Sequence, residues 1–211
     1  MGHLRLLPLL LIATACSQRA PWRVIPEPVA AAPRQQASAE PTSVATPGAA
    51  SDASIVEALR GLQFPVPSAA STHLDDSFDA PRDGGARRHN AIDIMAPKGS
   101  PVLSVQDGRI LRLMTNEKGG ITVYATDLNE LYVYYYAHLD RYYPGIYAGK
   151  PLLRGDTLGY VGTTGNAPKD VPHLHFQVMH MPADKKFWNG PAINPYPLLR
   201  AVTVPASASG K

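Results

Sequence analysis

Between residue 62 and about residue 199, short runs of alternating apolar and polar positions are broken by glycine-rich turns. The runs Ile92–Met95, Val102–Val105, Arg109–Met114, Ile121–Thr126, Leu131–Leu139, Thr157–Val161 and His173–Met179 predict strands. Turn signals separate them at Pro97-Lys98-Gly99, Asp107-Gly108, Lys118-Gly119-Gly120, Arg154-Gly155-Asp156 and Gly162-Thr163-Thr164-Gly165-Asn166. Strands this closely spaced imply a mainly β domain with an antiparallel sheet. No helical period is long enough to build a βαβ unit, and no internal repeat is present. Ahead of the domain, Ser54-Ile55-Val56-Glu57 fits a capping box and Gly61 a helix stop, so a short helix is expected over 51–61.

The pattern is different at the N-terminus. Residues 1–15 carry Arg5, an apolar core from Leu6 to Ile12 and the small residues Ala13-Thr14-Ala15, which read as an export signal. Cys16 follows at once and is the single cysteine of the chain, so no internal disulfide can form. The arrangement resembles a bacterial lipoprotein signal, which implies lipidation of Cys16. Ala13 stands where such signals usually have a larger aliphatic residue, and ordinary cleavage after Ala15 is the alternative. Ser17 rather than Asp after the cysteine resembles an outer-membrane sorting signal, with the protein held at the periplasmic face. Residues 16–50 are rich in Ala, Pro, Ser, Thr and Gln and too poor in large apolar side chains to order themselves. They are expected to be a flexible linker with a reach of roughly 30–35 Å. Residues 200–211 are expected to form a flexible tail.

The 211 residues therefore hold one domain of ordinary size, 62–199, with its appendages. A formal charge of +3 without a dense Lys/Arg block argues against a nucleic-acid partner and suits an anionic polymer or envelope.

The candidate chemistry sits on histidines. In the predicted strand from His173, alternation puts His173 and His175 on one face and Leu174 and Phe176 on the other. Two neighbouring imidazoles repel when both are charged, and neutral imidazole is the commonest metal ligand. His89-Asn90-Ala91-Ile92-Asp93 is a second frame, in which His89 and Asp93 can converge on a strand or a helix alike. His89, Asp93 and one histidine of the His173/His175 pair would make two imidazoles and a carboxylate. Three protein ligands with an open fourth position are typical of catalytic rather than structural zinc. A third run, Tyr132 to Leu139, is strongly β-prone. Its alternation places Tyr132, Tyr134, Tyr136 and His138 on one face, with His138 on a cleft wall and Tyr136 as a substrate-lining candidate. Asn166 is a second lining candidate, in the last of the turns above. His3 leaves with the signal, and His73 and His180 have no evident partner.

In combination these frames resemble the lysostaphin/LytM-type zinc metallopeptidases, which cut peptidoglycan peptides. Arg87-Arg88 before His89, Ala96-Pro97-Lys98-Gly99-Ser100-Pro101-Val102, Asp107-Gly108 and Gly162-Thr163-Thr164-Gly165 add to the match. The resemblance implies an antiparallel sheet with a groove above it. It also implies one zinc ion held by His89, Asp93 and His175, with His138 and His173 as catalytic histidines. His173 is preferred as general base and His138 as stabiliser, although the sequence does not decide between them. Ala91 replaces the family's usual glycine, Gln177 its usual acidic residue, and the link from Asn166 to Val171 also departs from the pattern. The expected function is a zinc endopeptidase acting on peptidoglycan cross-links or stem peptides, with a regulatory envelope protein as a further partner. Two rivals remain. One is a non-hydrolytic module that binds the cell wall or regulates an amidase. The other is an iron(II) oxygenase with a facial triad, disfavoured by triad spacing and by an exported compartment.

Overall fold

The structure, a computed structural model, describes residues 55, 57, 59–69 and 74–200. The expected signal and linker over 1–50 with Cys16, His73, and residues 201–211 lie outside the described residues. Ile55 and Glu57 are helical, and the Leu59 N–H donates to the Ile55 carbonyl at 3.0 Å.

The strands follow in chain order. A small hairpin comes first, β1 (Pro81–Arg82) against β2 (Arg87–Arg88). Then come β3 (Ile92–Met95), β4 (Pro101–Leu103), β5 (Gly108–Asn116), β6 (Gly120–Asp127), β7 (Tyr132–Tyr142), β8 (Pro151–Leu152), β9 (Thr157–Val161), β10 (His173–His180) and β11 (Ala192–Ile193). A five-residue helix, α1 (Tyr196–Arg200), closes the described part. Strands β3 to β11 form one nine-stranded sheet whose main path runs β11-β10-β7-β6-β5-β8. Every pairing in it is antiparallel. The expected mainly β, antiparallel fold is therefore what the chain adopts.

Three differences from the sequence reading have simple causes. β1, β2, β8 and β11 are two residues each, too short to show a period of two. β7 runs three residues past Leu139, because β9 pairs along that extension. Helix α1, which the sequence reading did not predict, is too short at five residues to show a helical period, and it buries Leu198 and Leu199 in the core.

Alternation along the central strands separates two faces. Ile92 and Ile94 of β3, Tyr134 and Tyr136 of β7, and Leu174 and Phe176 of β10 are all buried in the main core. The Tyr136 and Phe176 rings lie 5.3 Å apart there. On the other face a smaller cluster gathers Tyr124, Val133 and Met179, with Phe187 packed against it. Beside that cluster the same face opens into the cleft described below.

Two turns lock together at one end of the sheet. The Asn166 N–H donates to the Lys118 carbonyl at 3.0 Å. The Thr164 hydroxyl accepts from the Ile121 N–H at 3.0 Å and donates to the Leu139 carbonyl at 2.6 Å. Gly120 and Gly165 meet at this junction with φ of 66° and 71°. A Cβ on Gly165 would collide with the Gly120 nitrogen and the Lys118 carbonyl. Both the dihedral and the space demand glycine. Gly165→Ala is expected to lower stability by about 1–3 kcal/mol or more. Urea unfolding followed by tryptophan fluorescence checks this, and an unchanged midpoint would show that the junction can relax.

Candidate metal and catalytic site

The site begins with strand pairing. β10 runs antiparallel to β3 with His175 opposite Asp93 and His173 opposite Met95. On its other edge β10 pairs with β7, with His175 opposite Ala137. His175 thus sits between the strand of Asp93 and the strand that carries His138. His89 arrives from outside the sheet, at the end of the β1–β2 hairpin. Asn90 beside it takes a left-handed φ of 57°, which turns the chain into β3. The hairpin continues past β2, with the His89 N–H on the Ala80 carbonyl at 2.9 Å and the Asn90 N–H on the Phe78 carbonyl at 2.8 Å.

Three ligand-type atoms converge. His89 Nε2 and His175 Nδ1 are 3.0 Å apart, and each lies 3.1 Å from Asp93 Oδ1. His138 and His173 stand next to them, with ring centroids 5.0 Å apart, and the His138 ring is 5.6 Å from that of His175. His173 Nε2 is 3.8 Å from Asp93 Oδ1. All five residues line one cavity of about 650 Å³. Asn166, Tyr135, Arg82, Arg87 and Lys118 line it too.

Backbone carbonyls orient three of the four imidazoles. Nδ1–H of His89 donates to Ser77 O at 3.0 Å, that of His138 to Thr164 O at 2.9 Å, and that of His173 to Val171 O at 2.8 Å. A carbonyl can only accept, so the neutral form of each ring carries its proton on Nδ1 and turns a bare Nε2 into the cleft. Burial pushes His138 down to about 4, against the opposing pull of the Thr164 carbonyl, so it is neutral near pH 7. Burial also lowers His175, with Asp93 pulling the other way. Burial works to raise the Asp93 carboxyl, but the imidazoles of His175 and then His89 beside its Oδ1 outweigh burial and hold it well below the usual carboxylate range.

This geometry has known counterparts. The sequence model of Peptidase family M23 matches residues 87–195, more than half of the chain. The chain belongs to peptidase family M23. It is 34% identical over 144 residues to the L-Ala--D-Glu endopeptidase of Bacillus subtilis, covering 65% of this chain and 43% of the relative. It is 31% identical over 99 residues to the peptidoglycan DD-endopeptidase ShyC of Vibrio cholerae, covering 47% of this chain and 22% of the relative. The chain thus spans less than half the length of these relatives. Among solved structures, the lytM protein of Ruminococcus gnavus aligns with a TM-score of 0.57 at 30% identity, over 71% of this chain and 64% of that one. LytU aligns with a TM-score of 0.51 at 28% identity, over 61% of this chain and 85% of that one. The resemblance read from the sequence motifs is therefore to the right family.

The donor set of this M23 chain fits a zinc ion. Bonds of roughly 2.0–2.1 Å at tetrahedral angles put ligand atoms roughly 3.3 Å apart. The three separations here are 3.0, 3.1 and 3.1 Å. Carboxylate oxygen and bare imidazole nitrogen all present lone pairs to one point, which only a shared proton or a cation can reconcile.

The placement of the tyrosines corrects the sequence reading. Tyr136 is fully buried in the core, and its hydroxyl accepts the Val105 N–H at 3.1 Å, so it does not line the cleft. Tyr135 lines it instead. His138 is not on the face of Tyr132, Tyr134 and Tyr136 either. Against β6, Tyr136 pairs with Val123 and Leu139 with Ile121, so β7 carries one extra residue between them. This bulge, with His138 at a φ of 60°, swings the imidazole onto the cleft face. Strict alternation cannot anticipate it, because a bulge exists only relative to the partner strand. Arg82 and Ser77 were also missed. Neither lies in a recognisable frame, and both reach the ligands through the fold.

In the metal-free protein at about pH 8, above the ordinary imidazole range, long-range ¹⁵N–¹H correlation spectra should show His89, His138 and His173 with the proton on Nδ1. An Nε2–H tautomer at His138 would contradict the carbonyl-held geometry.

Proposed function

We propose that this protein is a zinc-dependent endopeptidase that hydrolyses peptide cross-links or stem peptides of bacterial peptidoglycan. The observation that carries the reading is the convergence of His89, Asp93 and His175 beside two further histidines in one open cleft. Relatives named as peptidoglycan and L-Ala--D-Glu endopeptidases support the substrate class.

His89 Nε2, Asp93 Oδ1 and His175 Nδ1 would hold one zinc ion per chain. Zinc so held supplies Lewis acidity, lowering the pKa of water and polarising a carbonyl. The chain's own contribution is to orient substrate and move a proton. His173 is assigned as general base at Nε2. Its Nδ1–H is anchored on Val171, and the nearby Asp93 carboxylate favours the imidazolium that forms. The proton taken from water then goes to the leaving amine. His138 is assigned to the oxyanion side. Burial keeps it neutral at rest; to donate from Nε2 it takes up a proton from solvent water as negative charge develops beside it, and gives that proton back when the tetrahedral intermediate collapses. Asn166 and Tyr135 lie on the walls where a peptide would run.

The site of action is read from residues outside the described part. The signal-like residues 1–15 and Cys16 support export and acylation, with the domain tethered by the linker to the periplasmic face of the outer membrane. No helix among the described residues is long and apolar enough to cross a membrane.

His89→Ala and Asp93→Ala should each lose stoichiometric zinc and all hydrolysis. His138→Ala should keep most of the zinc, measured by plasma mass spectrometry, and lose at least about 100-fold in activity. Digestion of defined muropeptides with mass-spectrometric readout identifies the bond cut. Wild-type protein that holds zinc yet releases no new muropeptide from any sacculus would instead indicate a non-hydrolytic wall-binding or amidase-regulating module. Cys16→Ala should move the protein from the membrane to the soluble fraction, and unchanged fractionation would refute acylation.

A further inference from the structure

Asp93 uses its two oxygens differently. Oδ1 faces His89 and His175, each at 3.1 Å. Oδ2 accepts a hydrogen bond from Arg82 Nη2 at 2.7 Å. Both side chains are partly withdrawn from solvent, with 34% of Arg82 and 25% of Asp93 exposed, so the pair is screened less than a surface ion pair. Both line the cleft that holds the histidines.

Arg82 does not reach Asp93 by chance of a long side chain. It sits in β1, opposite Arg87 of β2. The turn between these strands places Asp83, Gly84 and Gly85 at φ of 52°, 68° and 97°. The Arg87 guanidinium braces that turn on Asp83 at 2.6 Å, and Arg88 binds Asp79 at 2.8 Å. The end of the same hairpin delivers His89. One structural unit therefore carries one member of the donor set, His89, and the guanidinium that grips another, Asp93.

The consequence is chemical. A carboxylate that offers both oxygens to a metal occupies two coordination positions, while one that offers a single oxygen leaves a position for water or substrate. A guanidinium on Oδ2 removes that oxygen from contention and fixes the plane of the carboxylate. Partners behind the ligands commonly set ligand orientation and affinity in this way. We propose that Arg82 is a positioning residue of the metal centre, holding Asp93 Oδ2 so that Oδ1 alone is presented alongside His89 and His175. This rests on the zinc-site reading above.

The test uses the full chain as wild type, Arg82→Ala, Arg82→Lys and Arg88→Ala. Zinc affinity is measured by competition with a chromophoric chelator, and coordination number by the visible spectrum of the cobalt(II)-substituted protein. Arg82→Ala should weaken zinc binding by about 10–100-fold, and its cobalt spectrum should shift from four-coordinate toward five-coordinate as Oδ2 becomes free to bind. Arg82→Lys, which keeps the charge and one donor, should recover part of both. Arg88→Ala, on the same hairpin but with its exposed side chain on Asp79 rather than on a ligand, should bind zinc within about 2-fold of wild type. Wild-type affinity and spectrum in Arg82→Ala would overturn the proposal, as would an equal loss in Arg88→Ala. A wild-type chain that takes up no zinc would overturn the metallopeptidase reading and this proposal together.

Discussion

The antiparallel register of β3 on β10 is the constraint on which the rest of the site depends. It sets His175 directly opposite Asp93, so a ligand pair is created by backbone hydrogen bonds rather than by flexible side chains. A slip of β10 by one residue would turn His173 and His175 toward the core and Leu174 and Phe176 out of it. The apolar partners make that slip costly. Leu174 and Phe176 alternate with the histidines, and Ile92 and Ile94 flank Asp93, all fully or nearly fully buried. Hydrophobic burial on one face therefore holds the chemistry in place on the other.

Around this pair the protein spends backbone groups rather than side chains to orient its imidazoles. Ser77, Thr164 and Val171 each offer a carbonyl to one Nδ1–H. These carbonyls belong to loops, yet the loops are tied down. Thr164 is fastened to Ile121 and Leu139 through its hydroxyl, and the Asp93 N–H donates to the Ser77 hydroxyl at 3.3 Å. The result is a preorganised set of bare nitrogens facing a cavity, which is what metal binding and proton transfer both require.

The two faces of the sheet also explain where catalysis and stability part company. Tyr134 and Tyr136 serve the core, where burial raises their pKa well above that of an ordinary tyrosine and keeps them neutral. Tyr135, one residue away in each direction, belongs to the cleft and stacks edge-on toward His175 at 6.0 Å. The β7 bulge then breaks the alternation at the point where a fourth histidine joins the cleft side. Without it His138 would fall among the core tyrosines.

Much of this was legible in the sequence. Alternation identified the seven longer strands and the opposite faces of His173-Leu174-His175-Phe176, because a period of two is a local property of the backbone. Glycine-rich runs marked the turns, because positive φ is cheap only for glycine. The histidine and aspartate frames, in their order along the chain, pointed to the family and to the five residues that meet in the cleft. Tertiary structure alone decided the rest. The bulge that turns His138 away from Tyr136 depends on pairing with β6, the exchange of Tyr136 for Tyr135 follows from it, and the grip of Arg82 on Asp93 joins residues 11 apart through a folded hairpin. Local sequence sets which face a residue takes within its own strand. Which neighbour that face meets is set by strand register, and register is fixed only when the whole sheet assembles.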